Sequence, residues 1–287
     1  QYFCSQDWTS LPASSSTCIA ALGDNAGCCY KKIPVTLPPV PTLSHTSLNE
    51  VGSGSVRRRS ELGDAYVQID LTEDGKLWQI GGAWSTNPFK VDVSHSFRFE
   101  FKAFFGMDES GGTQQGEGIV FVIHNDEAGV DALGNIGGHF LGYGIKPTNS
   151  SSVGITNSVG VEFDTDMYPT KSQGGEERNE IYQDHMAVLR DGNILVPVAG
   201  PKALGDDVED GFWHNIRVTY DAGTTKLTVD FAARVTLQTT IDLRDVIVGS
   251  TTSGSETAAY WGFTASTGNL VNQQKVAMSK DGYLTYL

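Results

Sequence analysis

A row of acidic side chains and a later histidine lie within residues 158–193 of this 287-residue chain. Residues 158–164 read as a strand, and Glu162 and Asp164 share one face of it because side chains two positions apart point the same way. Asp166 continues the row if the strand runs on. Carboxylate oxygens suit calcium, and an imidazole beside carboxylates suits manganese or a similar transition ion. The spacing therefore predicts a metal site at the end of this strand.

The other ligands of that site are predicted on the returning chain. Asn179, Glu180, Asp184 and His185 follow a loop rich in glycine and charged residues, and they lead into a second apolar run, Met186–Leu189. Two neighbouring strands joined by such a loop gather carboxylates, an amide and an imidazole at one point. The alternative is that these acids are solvated groups beside a surface loop.

Three further stretches combine glycines with polar or aromatic side chains. Glu117 stands between two glycines at the start of the apolar run GIVFVIH, residues 118–124. Residues 134–143, GNIGGHFLGY, form a glycine-rich loop whose backbone N–H groups can approach a ligand closely. Residues 261–269, WGFTASTGN, end in small residues and an amide. The plain alternative for each stretch is an ordinary turn or strand entry.

These stretches need strands to position them, and strands dominate the pattern from about residue 46 onward. Short β-branched and aromatic runs are separated by turn residues, the chain has 33 glycines, and no long segment has a helical period. This density of strands predicts an all-β antiparallel sandwich. The predicted strands are Ala65–Leu71, Gly81–Trp84, Phe89–Val93, Ser96–Phe105, Gly118–His124, Val159–Asp164, Met186–Leu189, Trp213–Tyr220, Lys226–Phe231, Arg234–Leu243 and Tyr260–Ala265.

In their order along the chain, these motifs resemble the L-type (legume-type) lectin domain over roughly residues 46–287. The resemblance rests on VEFDT at 161–165, on the acid and histidine before a hydrophobic strand, on GEGIVFV at 116–122, on the glycine loop before LGY, and on GFTASTG at 262–268. It implies a jelly-roll sandwich of the concanavalin A type that binds carbohydrate and is not an enzyme.

The resemblance also implies calcium together with a second ion, manganese or another transition metal. Glu162 and His185 match the transition-ion ligands, and Asp164 matches the acid that bridges both ions. Asp166 matches a residue that gives its backbone carbonyl to calcium. Asn179 matches a calcium-binding amide that also contacts the sugar.

A second bridging acid is Asp in the family, and Glu180 stands at that position, five residues before His185. Asp184 is the rival for this role, although an acid directly before a histidine on a strand points to the opposite face. Glu180 and the long loop from 168 to 178 are departures from the family pattern.

The sugar contacts that the resemblance implies lie in the glycine-rich stretches. Glu117 matches an Asp that follows a cis peptide bond and accepts hydrogen bonds from sugar hydroxyls; its extra methylene moves the carboxylate by about 1.5 Å. Gly137 or Gly138 would donate a main-chain hydrogen bond, and His139 and Phe140 would stack on the sugar ring. The full implied set is Glu117, Gly137, Gly138, His139, Asn179 and Asn269, with Asn272 as the alternative to Asn269.

All four cysteines lie within the first 29 residues. An even, clustered count predicts two disulfides and an oxidising compartment. A bond between the adjacent Cys28 and Cys29 would be strained, so each is expected to pair with Cys4 or Cys18, in an order that the sequence leaves open. A zinc site is the alternative, but no histidine lies nearby and the cysteine spacings are irregular.

The sequence therefore predicts three regions. Residues 1–32 form the cysteine-rich segment, and residues 33–45 form a proline-rich linker that is expected to be extended. Residues 46–287 form the lectin-like β-sandwich domain. The N-terminal segment is expected to contact another protein or a second copy of the chain.

Net charge and the chain start limit the partners and the location. A formal net charge of −14 argues against nucleic acid and anionic membranes, because both need a basic surface. No apolar run is long enough to span a membrane. A chain that begins at Gln1 is expected to be a mature secreted product whose leader was removed, located outside the cell or on its surface. Asn149, in an Asn-Ser-Ser triplet, is the predicted glycosylation site.

These residues are compatible with three functions. The first is a secreted, calcium-dependent lectin that recognises glycans or glycoproteins, for example in adhesion. The second is a structural or adhesive protein that kept the lectin fold without sugar binding. The third is a glycoside hydrolase, because Glu162, Asp164 and Asp166 line one strand face and retaining hydrolases need two carboxyl groups about 5–5.5 Å apart. His185 and the closing motif favour the lectin over the hydrolase.

Overall fold

A computed structural model of the chain describes residues 2–4, 29–31, 37–107, 116–166, 181–247 and 257–287. These residues contain eighteen strands, two short 3₁₀ helices and one short α-helix. The elements are β1 (Tyr2–Cys4), β2 (Cys29–Lys31), β3 (Leu48–Gly52), β4 (Ser55–Arg57), β5 (Tyr66–Asp70), β6 (Ile80–Ser85), β7 (Val91–Asp92), β8 (Phe97–Phe104), β9 (Gly118–His124), the 3₁₀ helices Gly129–Asp131 and Gly138–Phe140, β10 (Ser158–Asp164), β11 (His185–Arg190), β12 (Ala199–Ala203), β13 (His214–Asp221), β14 (Lys226–Phe231), β15 (Val235–Thr240), α1 (Leu243–Ile247), β16 (Ala258–Ser266), β17 (Lys275–Ser279) and β18 (Leu284–Tyr286).

The chain divides into two compact units, Gln1–Pro38 and Pro39–Leu287. The division falls inside the segment 33–45 that the sequence predicts as a linker. In the first unit, β1 pairs with β2 in an antiparallel ribbon whose register places Cys4 opposite Cys29. Cys18 and Cys28 lie outside the described residues, so the two disulfides stay a prediction.

The second unit consists of two antiparallel sheets packed face to face, which confirms the predicted all-β sandwich. Sheet I has the strand order β12-β11-β10-β9-β16-β6-β3, with β7 also paired to β16. Sheet II has the order β15-β14-β13-β8-β17-β5-β4, with β18 also paired to β8. None of the helices in the described ranges has both the length and the apolar character that a membrane span requires.

The space between the sheets is filled by alternate side chains of their strands. In β8, Phe97, Phe99 and Phe101 point inward while the residues between them are partly exposed. Phe99 lies 5.1 Å from Phe121 of sheet I, measured between ring centroids, and Phe101 lies 4.9 Å from Phe263. This packing of large rings fixes the two sheets against each other.

The opposite face of sheet I is also buried, which explains the continuous apolar run of β9. Val120 and Val122 point away from the sandwich core and pack in a second hydrophobic cluster with Trp84 and Tyr143. Loop residues between β9 and β10 supply the cover, and the Trp84 indole N–H donates to the carbonyl of Ala132 at 2.6 Å. Sheet I is therefore buried on both faces along β9.

Candidate functional site

Four neighbouring strands of sheet I begin or end at one point. β10 ends at Asp164, which is paired in register with His185 at the start of β11 and with Gly118 at the start of β9. Gly118 is paired on its other side with Ser266, the last residue of β16. Strand order and register thus bring Asp164, His185, Gly118 and Ser266 to the same end of sheet I, which we call the site end. The glycine loop reaches this end through the Gly138 N–H, which donates to the carbonyl of Thr267 at 3.2 Å.

The acidic row predicted from the sequence lies at the site end and is buried. Glu162 and Asp164 occupy the same face of β10, and Glu162 Oε1 lies 4.0 Å from Nε2 of His185. Asp166 is also buried, and its N–H donates to Asp164 Oδ1 at 2.8 Å. Burying carboxylates is costly unless donors or cations compensate them, so the chemistry of this group fits a divalent cation.

The remaining predicted metal ligands, Asn179 and Glu180, lie outside the described residues. Within the ranges that are described, no three His, Cys, Asp or Glu side chains form a group able to hold a metal ion. The metal site therefore stays a prediction, supported by the oxygen and imidazole donors of the acidic row.

Asp184, the rival for the second bridging role, is hydrogen-bonded to a neighbouring loop. Its carboxylate accepts a hydrogen bond from the Val208 N–H at 2.7 Å, and its carbonyl accepts one from the Leu204 N–H at 2.8 Å. Burial raises the pKa of the Asp184 carboxyl to about 6. The side chain therefore holds the chain around residues 204–208 in place.

Glu117 is completely buried at the site end, between two glycines. A Cβ on Gly268 would lie far inside van der Waals contact with Glu117 Oε1, and a Cβ on Gly138 would lie 3.6 Å from the same oxygen. The Glu117 carbonyl also accepts a hydrogen bond from the Thr165 N–H at 3.1 Å. The carboxylate thus occupies space that exists because Gly268 lacks a side chain, whereas a Cβ on Gly138 would be in ordinary contact with it.

The peptide bond before Glu117 differs from the family expectation. Among the described residues the cis peptide bonds are Asn87–Pro88 and Gly200–Pro201, so Glu117 follows Gly116 through a trans bond. The trans form is favoured by about 2.5–4 kcal/mol when the second residue is not proline. The cis bond that precedes the Asp of the family is therefore not found before Glu117.

The two candidate N–H donors of the glycine loop differ in what they already bind. The N–H of Gly138 donates to the carbonyl of Thr267 at 3.2 Å, and the carbonyl of Gly138 accepts from the Ser266 hydroxyl at 2.7 Å. Gly137 makes no such bond through its N–H within the described part of the chain and is half-buried. Of the two, Gly137 is the one whose N–H remains for a ligand.

The two aromatic residues of this loop, His139 and Phe140, differ in exposure. The rings of His139 and Phe140 lie 4.2 Å apart between centroids. Phe140 is buried in the second hydrophobic cluster, whereas His139 is partly exposed. Phe140 therefore supports the loop, and His139 is the more exposed of the two residues.

Asn269 and Asn272, which follow the closing motif, differ in exposure and in their contacts. Asn272 is buried, and its side-chain NH₂ donates to Glu209 Oε1 at 2.6 Å and to the carbonyl of Phe105. Asn269 is exposed two residues after Thr267. Asn269 is thus the exposed member of the pair, and Asn272 holds internal structure.

Asn149 lies in an exposed turn, where its side-chain oxygen accepts a hydrogen bond from the Ser151 N–H at 3.0 Å. This exposure is compatible with the predicted glycosylation, which no observation of the fold tests.

Thr267 is a site residue that the sequence analysis did not single out. Its hydroxyl donates to the carbonyl of Lys76 at 2.9 Å and accepts from the Gln79 N–H at 2.9 Å, and its own N–H donates to the Gln79 carbonyl at 3.0 Å. These three bonds attach the turn 76–79 to the site end. The only sequence signal for this contact was the position of Thr267 inside the closing motif.

Comparison with known proteins places this fold. The family model described as the legume lectin beta-barrel domain, an L-type lectin domain, matches residues 45–280. The metal-free form of lectin I-B4 from Griffonia simplicifolia is 21% identical, with 82% of this chain and 91% of that chain covered and a TM-score of 0.57. The lectin from Bauhinia forficata in complex with GalNAc is 19% identical, with coverage of 82% and 94% and a TM-score of 0.59.

A third similar structure is arcelin-5, a lectin-like defense protein from Phaseolus vulgaris, which is 17% identical with coverage of 81% and 90% and a TM-score of 0.54. At these identities the solved structures establish the shared fold alone. The family match covers most of the chain, and its members point to a carbohydrate-binding protein rather than an enzyme. The chain belongs to the legume-type (L-type) lectin family.

Proposed function

We propose that this protein is a secreted, calcium-dependent lectin that binds a glycan at the site end of sheet I. The observation that supports this most strongly is the Glu117 carboxylate between Gly138 and Gly268, beside the buried acidic row. A carboxylate held in this way is a strong acceptor for sugar hydroxyls because hydrogen bonds to a charged group are the stronger kind.

The other polar contacts to the sugar follow from what each group already binds. The Gly137 N–H supplies a donor, since the Gly138 N–H is used by Thr267. The imidazole of His139 provides a partly exposed ring for the apolar face of the sugar, and Asn269 provides an exposed amide. Asn179 adds a second amide in this proposal.

The metal part of the proposal uses the acidic row. Glu162 and His185 would hold the transition ion, and Asp164, Asp166, Asn179 and Glu180 would hold calcium. Bound cations would supply the positive charge that balances these carboxylates. The protein's own contribution is the register of β10 and β11, which places Asp164 opposite His185.

A single shallow sugar site binds weakly, so adhesion would require several copies acting together. The N-terminal segment of residues 1–32 is the part of this chain proposed to supply that association, through a second copy or another protein. Glycans or glycoproteins are the proposed ligands, and galactose and GalNAc are the first sugars to test because lectins of similar fold have been solved with them.

The second candidate function is a structural or defensive protein that keeps the fold without sugar binding. Glu117 and Glu180 each stand where the family has Asp, and both replacements favour this second function. The similarity to arcelin-5, which is described as lectin-like, favours it as well. The family match favours carbohydrate binding over the hydrolase function.

A glycan-array screen of the intact protein separates these functions. The protein is applied in calcium and manganese, again after a chelator, and once more after the ions are restored. We expect binding that disappears with the chelator and returns with the ions. Absence of binding under every condition contradicts the proposal and favours the structural protein.

Glu117→Gln tests the site itself in the same screen. Removing the charge of a hydrogen-bonding carboxylate should weaken glycan binding by about 10- to 100-fold. Glu127→Gln is the matched control, since Glu127 is exposed and follows the opposite end of β9. Equal binding by both variants would show that the sugar is bound elsewhere.

A further inference from the structure

The turn before β6 carries an exposed tryptophan in a strained backbone conformation. Trp78 is 61% exposed and has a φ of 55°, and the neighbouring Leu77 is 54% exposed. A bulky residue at positive φ is uncommon, and such strain is found preferentially at ligand-contacting positions. Two large apolar side chains at the tip of one turn therefore need an explanation other than folding.

The turn is attached to the site end by Thr267. The hydroxyl of this residue bonds the Lys76 carbonyl and the Gln79 N–H at 2.9 Å each, so Leu77 and Trp78 form the tip of a fixed turn. A second contact comes from the glycine loop, where a Cβ on Gly137 would lie 3.5 Å from the Gln79 carbonyl oxygen. The same turn thus touches both loops that surround Glu117.

These contacts limit how far Trp78 lies from the candidate sugar site. Trp78 directly precedes Gln79, the Gln79 N–H donates to the Thr267 hydroxyl at 2.9 Å, and Thr267 directly precedes Gly268. Gly268 is the residue whose missing side chain makes room for the Glu117 carboxylate. Trp78 is therefore next to that site without being part of it.

The surface of the turn is apolar rather than charged at its tip. The charge of Lys76 is paired with Glu73 at 2.6 Å between Nζ and Oε2. The indole of Trp78 offers a large flat apolar face, and the ring faces of sugars are also apolar. An uncharged saccharide ring matches this surface better than a charged partner does.

We propose that Leu77 and Trp78 form a second saccharide subsite, in which the indole of Trp78 stacks on the sugar ring next to the one held at Glu117. This inference rests on the proposed lectin function and deepens it. The protein then selects an oligosaccharide over a monosaccharide, with the Glu117 site fixing the first ring and the turn 76–79 adding affinity for the second.

Trp78→Gly tests the subsite most directly, because it removes the indole while glycine adopts positive φ without strain, so the fold should be retained. Calorimetric titrations use the methyl glycosides of galactose, N-acetylgalactosamine, glucose, mannose and N-acetylglucosamine, and the disaccharides that end in each. We expect the wild type to bind a disaccharide about tenfold more tightly than its methyl glycoside, a difference of about 1.4 kcal/mol. Trp78→Gly should remove that difference, and Trp78→Phe should keep part of it.

Phe212→Ala is the matched control, since Phe212 is an exposed aromatic residue that precedes β13 of sheet II. It should leave the ratio of disaccharide to monosaccharide affinity unchanged. A Trp78→Gly protein that keeps the wild-type ratio overturns the subsite while the lectin function stands. A wild type that binds none of these sugars overturns the lectin function and the subsite with it, and an equal loss in Phe212→Ala also overturns the specific role of Trp78.

Discussion

At the residue scale, Gly268 matters because of the atom it lacks. Its backbone does not have positive φ, so alanine is allowed there, but the new Cβ would collide with Glu117 Oε1 and come 3.2 Å from the Cα of Gly138. The carboxylate would have to move out of its present position. The position of the Glu117 carboxylate therefore depends on the side chain that Gly268 lacks.

Gly268→Ala should consequently lower glycan affinity at least about tenfold, a loss of roughly 1.4 kcal/mol. Titration with the glycan that binds best on the array measures the effect. Gly223→Ala, in the loop between β13 and β14, is the control, because the nearest atom to its added Cβ is Asp221 Oδ1 at 3.2 Å. Unchanged affinity in Gly268→Ala would mean that the Glu117 carboxylate does not contact sugar.

A second residue-scale prediction concerns the pH dependence of stability through His124. This ring is buried against Trp84, with ring centroids 4.4 Å apart, and its Nδ1 accepts a hydrogen bond from the Asp126 N–H at 3.2 Å. Burial lowers the pKa of His124 to about 4. Because the unfolded chain takes up this proton near pH 6.5 and the folded chain does not, the stability present above pH 6.5 is lost as the pH falls toward 4.

Comparison of the wild type with His124→Phe isolates this contribution. Between pH 7 and pH 4.5 the wild type should lose about 2–3 kcal/mol more of its free energy of unfolding than the variant does. Denaturant unfolding at the two pH values gives both numbers. Asp184, whose pKa is raised by burial and which acts in the opposite direction, is present in both proteins and cancels. Parallel pH profiles would contradict a buried neutral His124.

At the element scale, the chain between β9 and β10 is the part that covers sheet I and carries the glycine loop. Its anchor is the Trp84 indole N–H, which donates to the Ala132 carbonyl at 2.6 Å. Trp84→Phe keeps a ring in the cluster but leaves that buried carbonyl without its donor, which should cost about 1–3 kcal/mol. Amide hydrogen exchange should therefore become faster across residues 129–145.

Trp261→Phe is the control for this prediction, because the Trp261 indole makes an equivalent bond of 2.6 Å to the Phe89 carbonyl on the other face of sheet I. It should leave exchange in residues 129–145 close to that of the wild type. Faster exchange in both variants would show a general loss of stability instead of an anchor for the covering loop.

The sequence was most informative about strands that are long and buried. β9 and β14 have the predicted limits, because a continuous apolar run marks β9 and strict alternation of polar and apolar residues marks β14. β3, β4, β12, β17 and β18 were missed, since short strands carry too little pattern, and β12 contains a Gly–Pro pair that is typical of turns. The predicted strand Arg234–Leu243 is shorter in the structure, because β15 ends at Thr240 and Leu243 begins α1.

The site was predictable to the extent that its residues lie at strand ends. Glu162, Asp164 and His185 converge as expected because alternation and pairing decide their positions. The turn with Trp78 was not predictable, since its bonds to Thr267 join residues 188 and 191 positions apart along the chain. No local pattern in either segment indicates such a contact.

At the scale of the whole molecule, we expect bound cations to stabilise the folded state. The chain has a net charge of −14, and the acidic row at the site end is buried. An ion that binds the folded state alone stabilises it by about 2.7 kcal/mol when its concentration is a hundred times its dissociation constant. Calcium should therefore raise the midpoint of thermal unfolding by several degrees over chelator-treated protein.

Differential scanning calorimetry measures this shift, with magnesium at equal concentration as the control for ionic strength. Asp164→Asn should remove most of the calcium-dependent shift, because Asp164 is one of the carboxylates that would hold calcium. A calcium effect that is the same in Asp164→Asn as in the wild type would contradict the assignment of the acidic row as the metal site.

The central claim is that the site end of sheet I binds a sugar, and a crystal structure of the protein grown with the best array glycan tests it most directly. We predict a sugar ring within hydrogen-bond distance of the Glu117 carboxylate and the Gly137 N–H, with the next ring against Trp78. A glycan bound at another surface, with Glu117 free of contact to it, would contradict the claim.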